Sequence, residues 1–250
     1  MKLSLFGKVL FVILAFQNYV MASVVGEISR MQVLNANRKP FTAYGQVNNF
    51  CSGTLISPLL VLTAAHCVYD QETQSWTGVK TFTPAKNGIL NPFGVVAVEK
   101  IYANPAYLKG DSSQDVAVLV LKDSVGLQTG WLSISWDMQG FSPRQSALGG
   151  LEAAGTITGY PGDKMQSTLW TAACSFYVPA MVPYLPQYRC DTFGGMSGSS
   201  IVIAGPQGES RIVGVHTTGH GGFNSGVMLT GPNKNFVQSV MKMYSLSLTP

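Results

Sequence analysis

The 250-residue chain is poor in charge: Asp, Glu, Lys and Arg make up 11% of it, against about a quarter in an ordinary soluble domain. No run of basic residues and no basic helical face occurs, which argues against a polyanionic partner and excludes nucleic acid as the expected substrate. Histidines number three and cysteines four, without CxxC spacing, so a structural zinc site lacks a recognisable ligand set and neither metal nor cofactor is expected. An Asp-rich calcium loop of the EF-hand pattern is also missing. With no short-period repeat and no low-complexity tract, solenoids and disordered tails are unsupported.

Long apolar runs are missing too. The one near the start, Val9 to Phe16, falls far short of the ~20 residues a bilayer-spanning helix needs. Lys2 and Lys8 precede it and small residues follow, with a cleavage position after Ala22, so residues 1–22 read as a signal peptide. The expected product is secreted, extracellular or periplasmic where a second membrane exists, and free of membrane once the signal is removed. Removal takes away two lysines and leaves 14 Lys and Arg against 12 Asp and Glu, a formal charge of +2. A monomer is the default.

Four cysteines in an exported chain suggest two disulfides, and counting alone leaves three connectivities open. Spacing favours near neighbours: Cys51 with Cys67 and Cys174 with Cys190, each pair 16 apart. In the chain-entropy model each loop would stabilise by roughly 3 kcal/mol.

Most of the remaining sequence is in short Val-, Ile-, Thr- and aromatic-rich segments broken by Gly, Pro, Asn and Ser, the pattern of strands and turns. Strands are expected over Cys51 to Ile56, Leu59 to Leu62, Val95 to Ile101, Val116 to Leu121, Gly155 to Thr158, Ser200 to Ala204 and Arg211 to His216. A terminal amphipathic helix over about 233–245 follows from Phe236, Val240, Met243 and Tyr244 at helical spacing. The Gly- and Pro-broken stretch from about Leu127 to Leu148 reads as a connection between halves, 23–135 and 136–250.

Hydrolysis by a serine needs a base of near-neutral pKa to take the hydroxyl proton and a buried carboxylate to orient that base. His66 lies in LTAAHC after an apolar strand, Asp115 opens the apolar strand VAVLVL, and Ser197 lies in GGMSGSS before IVIA. Asp111 competes for the carboxylate role, but Gly110 and two serines mark its surroundings as a turn. In these motifs and this order the chain resembles the trypsin-like serine proteases. The resemblance implies an all-β fold of two packed antiparallel six-stranded β-barrels, the first carrying His66 and Asp115 and the second Ser197. It also implies His66 as general base and acid, Asp115 as its orienter, Ser197 as nucleophile, and the N–H groups of Gly195 and Ser197 as the oxyanion hole.

A closer resemblance, to the bacterial glutamyl endopeptidases, rests on SVVG at 23–26, TAAHC followed by VYD, GYPGDK at 159–164, CDTFGGMSGS at 190–199 and GVHTTG at 214–219. It implies cleavage of protein or peptide substrates after Glu, less so Asp. Thr192 and His216 would read the carboxylate, and Thr217 to Gly219 would pair with substrate backbone. The amine of Ser23, freed by cleavage after Ala22, would supply positive charge. That family usually carries a propeptide; here signal removal would expose SVVG directly. Two rivals remain: trypsin-like cleavage after Arg or Lys through Asp191, six residues before Ser197, and a catalytically silent homologue acting as a binding module. Met196, where trypsin-type activation uses an Asp, argues against the first. His220, four positions from His216, is expected to be exposed and not to share a metal with it, since that spacing aligns on a helix rather than in a Gly-rich strand end.

Overall fold

The sequence places its most apolar runs where a strand is covered on both faces, and the computed structural model shows why. It describes residues 29–145, 149–220 and 222–245; the expected signal peptide, Ser23 and the 23–26 motif lie outside them. In the first half, β1 (Tyr44–Val47), β2 (Cys51–Leu55), β3 (Leu60–Thr63), β4 (Thr81–Pro84), β5 (Val96–Ala103) and β6 (Ala117–Leu121) close an antiparallel barrel in the order β1-β2-β3-β6-β5-β4. In the second half, β7 (Leu151–Gly159), β8 (Trp170–Val178), β9 (Gln187–Tyr188), β10 (Ser200–Ala204), β11 (Ser210–His220) and β12 (Phe223–Met228) close in the order β7-β8-β9-β12-β11-β10. The two orders are the same permutation, although the halves share no repeat that the sequence displays.

Alternation along β10 explains the contiguous run Ile201-Val202-Ile203. Ile201 and Ile203 join Ile157, Phe176, Val213 and Met228 inside the second barrel, while Val202 belongs with Val215 and Val227 to the cluster that extends into the first barrel. Side chains that alternate across a strand meet apolar neighbours on both sides, so no polar face is needed. β6 is likewise buried at every position. Each such Val, Leu or Ile contributes roughly 1.5–3 kcal/mol by leaving water.

Each half also straps the other. Met31–Gln32 pairs with Trp170–Thr171 of β8, and Ser133–Ile134 pairs in parallel with Arg211–Ile212 of β11. In return the C-terminal helix, Gly231–Ser245, buries Asn233, Val237 and Val240 against the first-barrel cluster. Its Tyr244 ring meets Tyr102 edge-on, with the hydroxyls 3.1 Å apart. The core-facing stripe thus runs through buried 233, 237 and 240, flanked by half-buried Phe236 and Tyr244, and not through Met243, which is exposed. Asn233 takes a core position because its side chain donates to Ser113 and Met228 carbonyls and accepts from Asn104. No helix among the described residues is long and apolar enough to cross a membrane.

Candidate active site

Strand register brings the first two site residues together. β3 pairs with β6 so that Thr63 faces Ala117, which puts the chain leaving β3 beside the chain entering β6. Three residues beyond Thr63, a 3-10 turn (Ala65–Cys67) presents His66; two residues before Ala117 stands Asp115. The Asp115 carboxylate accepts the His66 backbone N–H at 2.9 Å and meets His66 Nδ1 at 2.7 Å. A carboxylate only accepts, so Nδ1 carries the proton and the neutral ring keeps its lone pair on Nε2. Burial works against the charged imidazole, but the Asp115 charge and hydrogen bond more than offset this and hold the His66 pKa above its usual value. Asp111 sits instead at the mouth of the preceding turn, accepting from Ser113 N–H and Oγ.

Ser197 is pressed against the same edge from the second barrel. Its carbonyl accepts the Ser52 N–H of β2 at 2.8 Å, and the disulfide sulfur of Cys67, next to His66, lies 3.7 Å from that oxygen. Gly198 has φ +84°, and a Cβ there would lie 2.2 Å from both Ser52 O and Thr63 Oγ1; only glycine allows this approach of the two barrels. The preceding peptide is held as firmly. Gly162 N–H donates to Gly194 O at 2.7 Å, and Ser52 Oγ donates to Gly195 O at 2.8 Å. In a planar trans peptide the C=O and N–H point opposite ways, so the bond to Gly194 O turns the Gly195 N–H away from Gly162. Among the described residues, neither Gly195 N–H nor Ser197 N–H has a protein acceptor.

The cysteines pair Cys51–Cys67 and Cys174–Cys190. The first disulfide ties the His66 turn to β2, and the second joins β8 to the segment leading into Asp191. Cys51, His66 and Cys67 place possible ligand atoms within 4.8 Å of one another, but both sulfurs are spent in the disulfide, which leaves the imidazole alone.

Asp191, Thr192 and His216 are fully buried. Asn224, across the ladder from Gly219, donates to Cys190 O at 2.8 Å and so joins the Cys190–Thr192 wall to the end of β11. Tyr188 O–H donates its one proton to Ser225 O at 2.8 Å, so at its short contact with His216 Nδ1 it is the imidazole that donates. The neutral His216 ring then keeps its lone pair on Nε2. That atom, Thr192 Oγ1 and Asp191 Oδ1 are buried without a hydrogen-bond partner. Thr217 sits at a bulge between the pairs His216–Gly226 and Thr218–Ser225. Beyond His216 the β11 edge opposite β12 has no strand partner among the described residues, since its pairing with β10 ends at Val215.

The sequence pattern missed Arg30, Asp163 and Tyr188. Arg30 Nε meets Asp191 Oδ2 at 2.8 Å, and its two terminal nitrogens meet both Asp163 oxygens at 2.7 Å. Burial alone would lower the Arg30 pKa and raise that of Asp163; Asp163 and Asp191 together reverse the first shift, and Arg30 with Lys164 reverses the second. Only the position of Asp163 within GYPGDK offered a signal.

Burial first, and the His66 charge second, depress His216 to about 3. A histidine whose folded pKa is lowered contributes stability that is complete above its unfolded pKa of ~6.5 and is lost as pH falls towards the folded value. Stability should therefore drop by a few kcal/mol between about pH 6.5 and 3 from this residue, while His66, shifted upward, contributes with the opposite sign. Denaturant midpoints across that range should show a shallower acid slope in His216→Gln than in wild type; parallel slopes would remove the buried neutral imidazole from the account.

A family model described as Trypsin matches residues 28–228. The chain is 32% identical over 225 residues to the Glutamyl endopeptidase of Bacillus licheniformis, covering 85% of this chain and 67% of that one. It is 26% identical over 227 residues to a Bacillus subtilis protein named Extracellular metalloprotease, covering 87% and 69%. A solved structure of a Glu endopeptidase in complex with MPD superposes with a TM-score of 0.74 at 28% identity, covering 87% of this chain and 99% of that one.

Proposed function

The chain belongs to the trypsin family of serine endopeptidases, and from that premise we propose that it cleaves after glutamate, with His66, Asp115 and Ser197 as the catalytic triad. His66 Nε2 takes the Ser197 Oγ proton as that oxygen attacks the scissile carbonyl carbon. The resulting oxyanion accepts from the Gly195 and Ser197 N–H groups, both without another acceptor among the described residues. The imidazolium, stabilised by Asp115, returns the proton to the leaving amine, and water then repeats the cycle on the acyl-enzyme. The free edge at Thr217 to Gly219 suits substrate backbone added as a strand. Export fits two disulfides, which persist in oxidising compartments, and a monomer acting on proteins or peptides is the working form.

One observation supports this specificity: His216 Nε2 and Thr192 Oγ1 are both buried without a hydrogen-bond partner, as two groups that await a polar ligand would be. An unpaired buried polar group costs roughly 1–3 kcal/mol, which a polar side chain reaching it would relieve; the choice of an acidic one rests on the likeness to the glutamyl endopeptidases. Because Nδ1–H is committed to Tyr188, a carboxylate can bond to Nε2 only if one proton is added between them. The charged and titratable neighbours of this ring are His66, Asp115 and Tyr188. The trypsin-like alternative through Asp191 is disfavoured because that carboxylate is already held by Arg30.

Matched peptides with Glu or Gln before the scissile bond test this reading. Glu should be favoured at neutral pH, and its KM should rise with pH, towards tenfold per unit, while that of the Gln peptide stays nearly flat. Equal kcat/KM for the two peptides at every pH would contradict it.

A further inference from the structure

The cluster under the pocket wall has no part in bond breaking, yet it gathers four charges. Arg30, with a fully buried side chain, holds Asp191, also fully buried, and grips Asp163 with its fork. Lys164 Nζ lies 3.8 Å from Asp163 Oδ2, and the Arg30 guanidinium carbon sits 5.9 Å from the Phe193 ring centre. Two cations and two carboxylates sum to zero. Without Arg30 the sum would be −1, with Asp191 unpaired and one residue from Thr192. An unpaired buried carboxylate there would attract a basic side chain and repel an acidic one.

We propose that Arg30 sets the sign of the charge at the specificity pocket, cancelling Asp191 so that the pocket accepts an acidic residue in place of a basic one. This inference rests on the glutamate reading given above. Arg30 touches no substrate in this account; it is a positioning residue that acts through Asp191. Its place explains how an aspartate six residues before the nucleophile coexists with an acid-reading pocket. The unbonded Asp191 Oδ1 is the atom through which the charge would be felt once Arg30 is gone. Like charges several ångströms apart in a partly dry site repel enough to cost roughly 10- to 100-fold in binding.

The test measures kcat/KM on three matched peptides, with Glu, Gln or Lys before the scissile bond, for wild type, Arg30→Gln, Arg30→Lys and Asp191→Asn. In Arg30→Gln the Glu-to-Lys ratio should fall roughly 10- to 100-fold, mostly through KM, with the Gln peptide least affected. Arg30→Lys, which keeps the charge without the fork, should recover most of the ratio. Asp191→Asn should move it the other way, further towards Glu. A purely structural role for Arg30 would lower all three peptides together and leave the ratio unchanged, which would overturn the proposal. Should Arg30→Gln fail to fold, Asp191→Asn decides: an unmoved ratio overturns the proposal and a shift towards Glu supports it. A wild-type preference for Lys would sink the glutamate reading and this inference with it, whereas a wild-type Glu preference unmoved by these variants would sink this inference alone.

Discussion

Ser197→Ala is expected to lower kcat by on the order of 10⁴- to 10⁶-fold while leaving the fold and KM almost unchanged. The hydroxyl is the only atom removed, and Ser197 Oγ has no hydrogen-bond partner among the described residues that would be orphaned. What would survive is binding and the proposed oxyanion donors, Gly195 N–H and the backbone N–H at 197, which alone would still accelerate hydrolysis by roughly 10³- to 10⁴-fold over water. Single-turnover measurements with a chromogenic ester and a matched peptide check this. Turnover within tenfold of wild type would remove Ser197 from the chemistry.

Asp115→Asn should cost about 10⁴-fold in kcat, with folding preserved because the amide is nearly isosteric. The reason lies in proton bookkeeping at one atom. Asp115 accepts two bonds, one from the His66 backbone N–H and one from Nδ1–H. An asparagine can keep only one of these as acceptor and would turn an N–H toward Nδ1. The ring must then place its proton on Nε2, where it cannot take one from serine. Asp111→Asn, which changes only an exposed turn, is the natural comparison and should lie within about twofold of wild type. Equal losses in the two variants would show that Asp115 is not the orienting carboxylate.

How far these assignments were visible in the sequence depends on the range of the interaction. Strands buried on both faces were legible because contiguous apolar residues between turns have one reading: β2, β3, β6 and β10 lie within a residue or two of expectation. β7 and β11 run longer than expected, Leu151–Gly159 against Gly155 to Thr158 and Ser210–His220 against Arg211 to His216. Their extensions, LEAA and TTGH, carry too little apolar pattern to announce a strand, and pairing with β8 and β12 holds them. The common strand order of the two barrels was hidden because each half fills its core with different residues.

The same limit governs the site. His66, Asp115 and Ser197 each stand at the end of a readable strand, so their motifs marked them. Asp191 was readable only as a possible basic-residue selector, because its partner Arg30 lies 161 positions away and a pair at that separation leaves no local signature. Tyr188, which dictates the proton position on His216, sits in the two-residue β9 and offered no cue. In the terminal helix apolar character and burial part company: Met243 is exposed, whereas Asn233 is buried through hydrogen bonds to three segments.

A cleavage profile of the purified protein on a mixed peptide library, with Ser197→Ala as the control, tests whether this serine endopeptidase reads glutamate. Cuts after Glu, with fewer after Asp, are expected, all absent from the control. Cuts after Arg or Lys would contradict this reading and hand the pocket to Asp191, and cuts that persist in the control would belong to another protease.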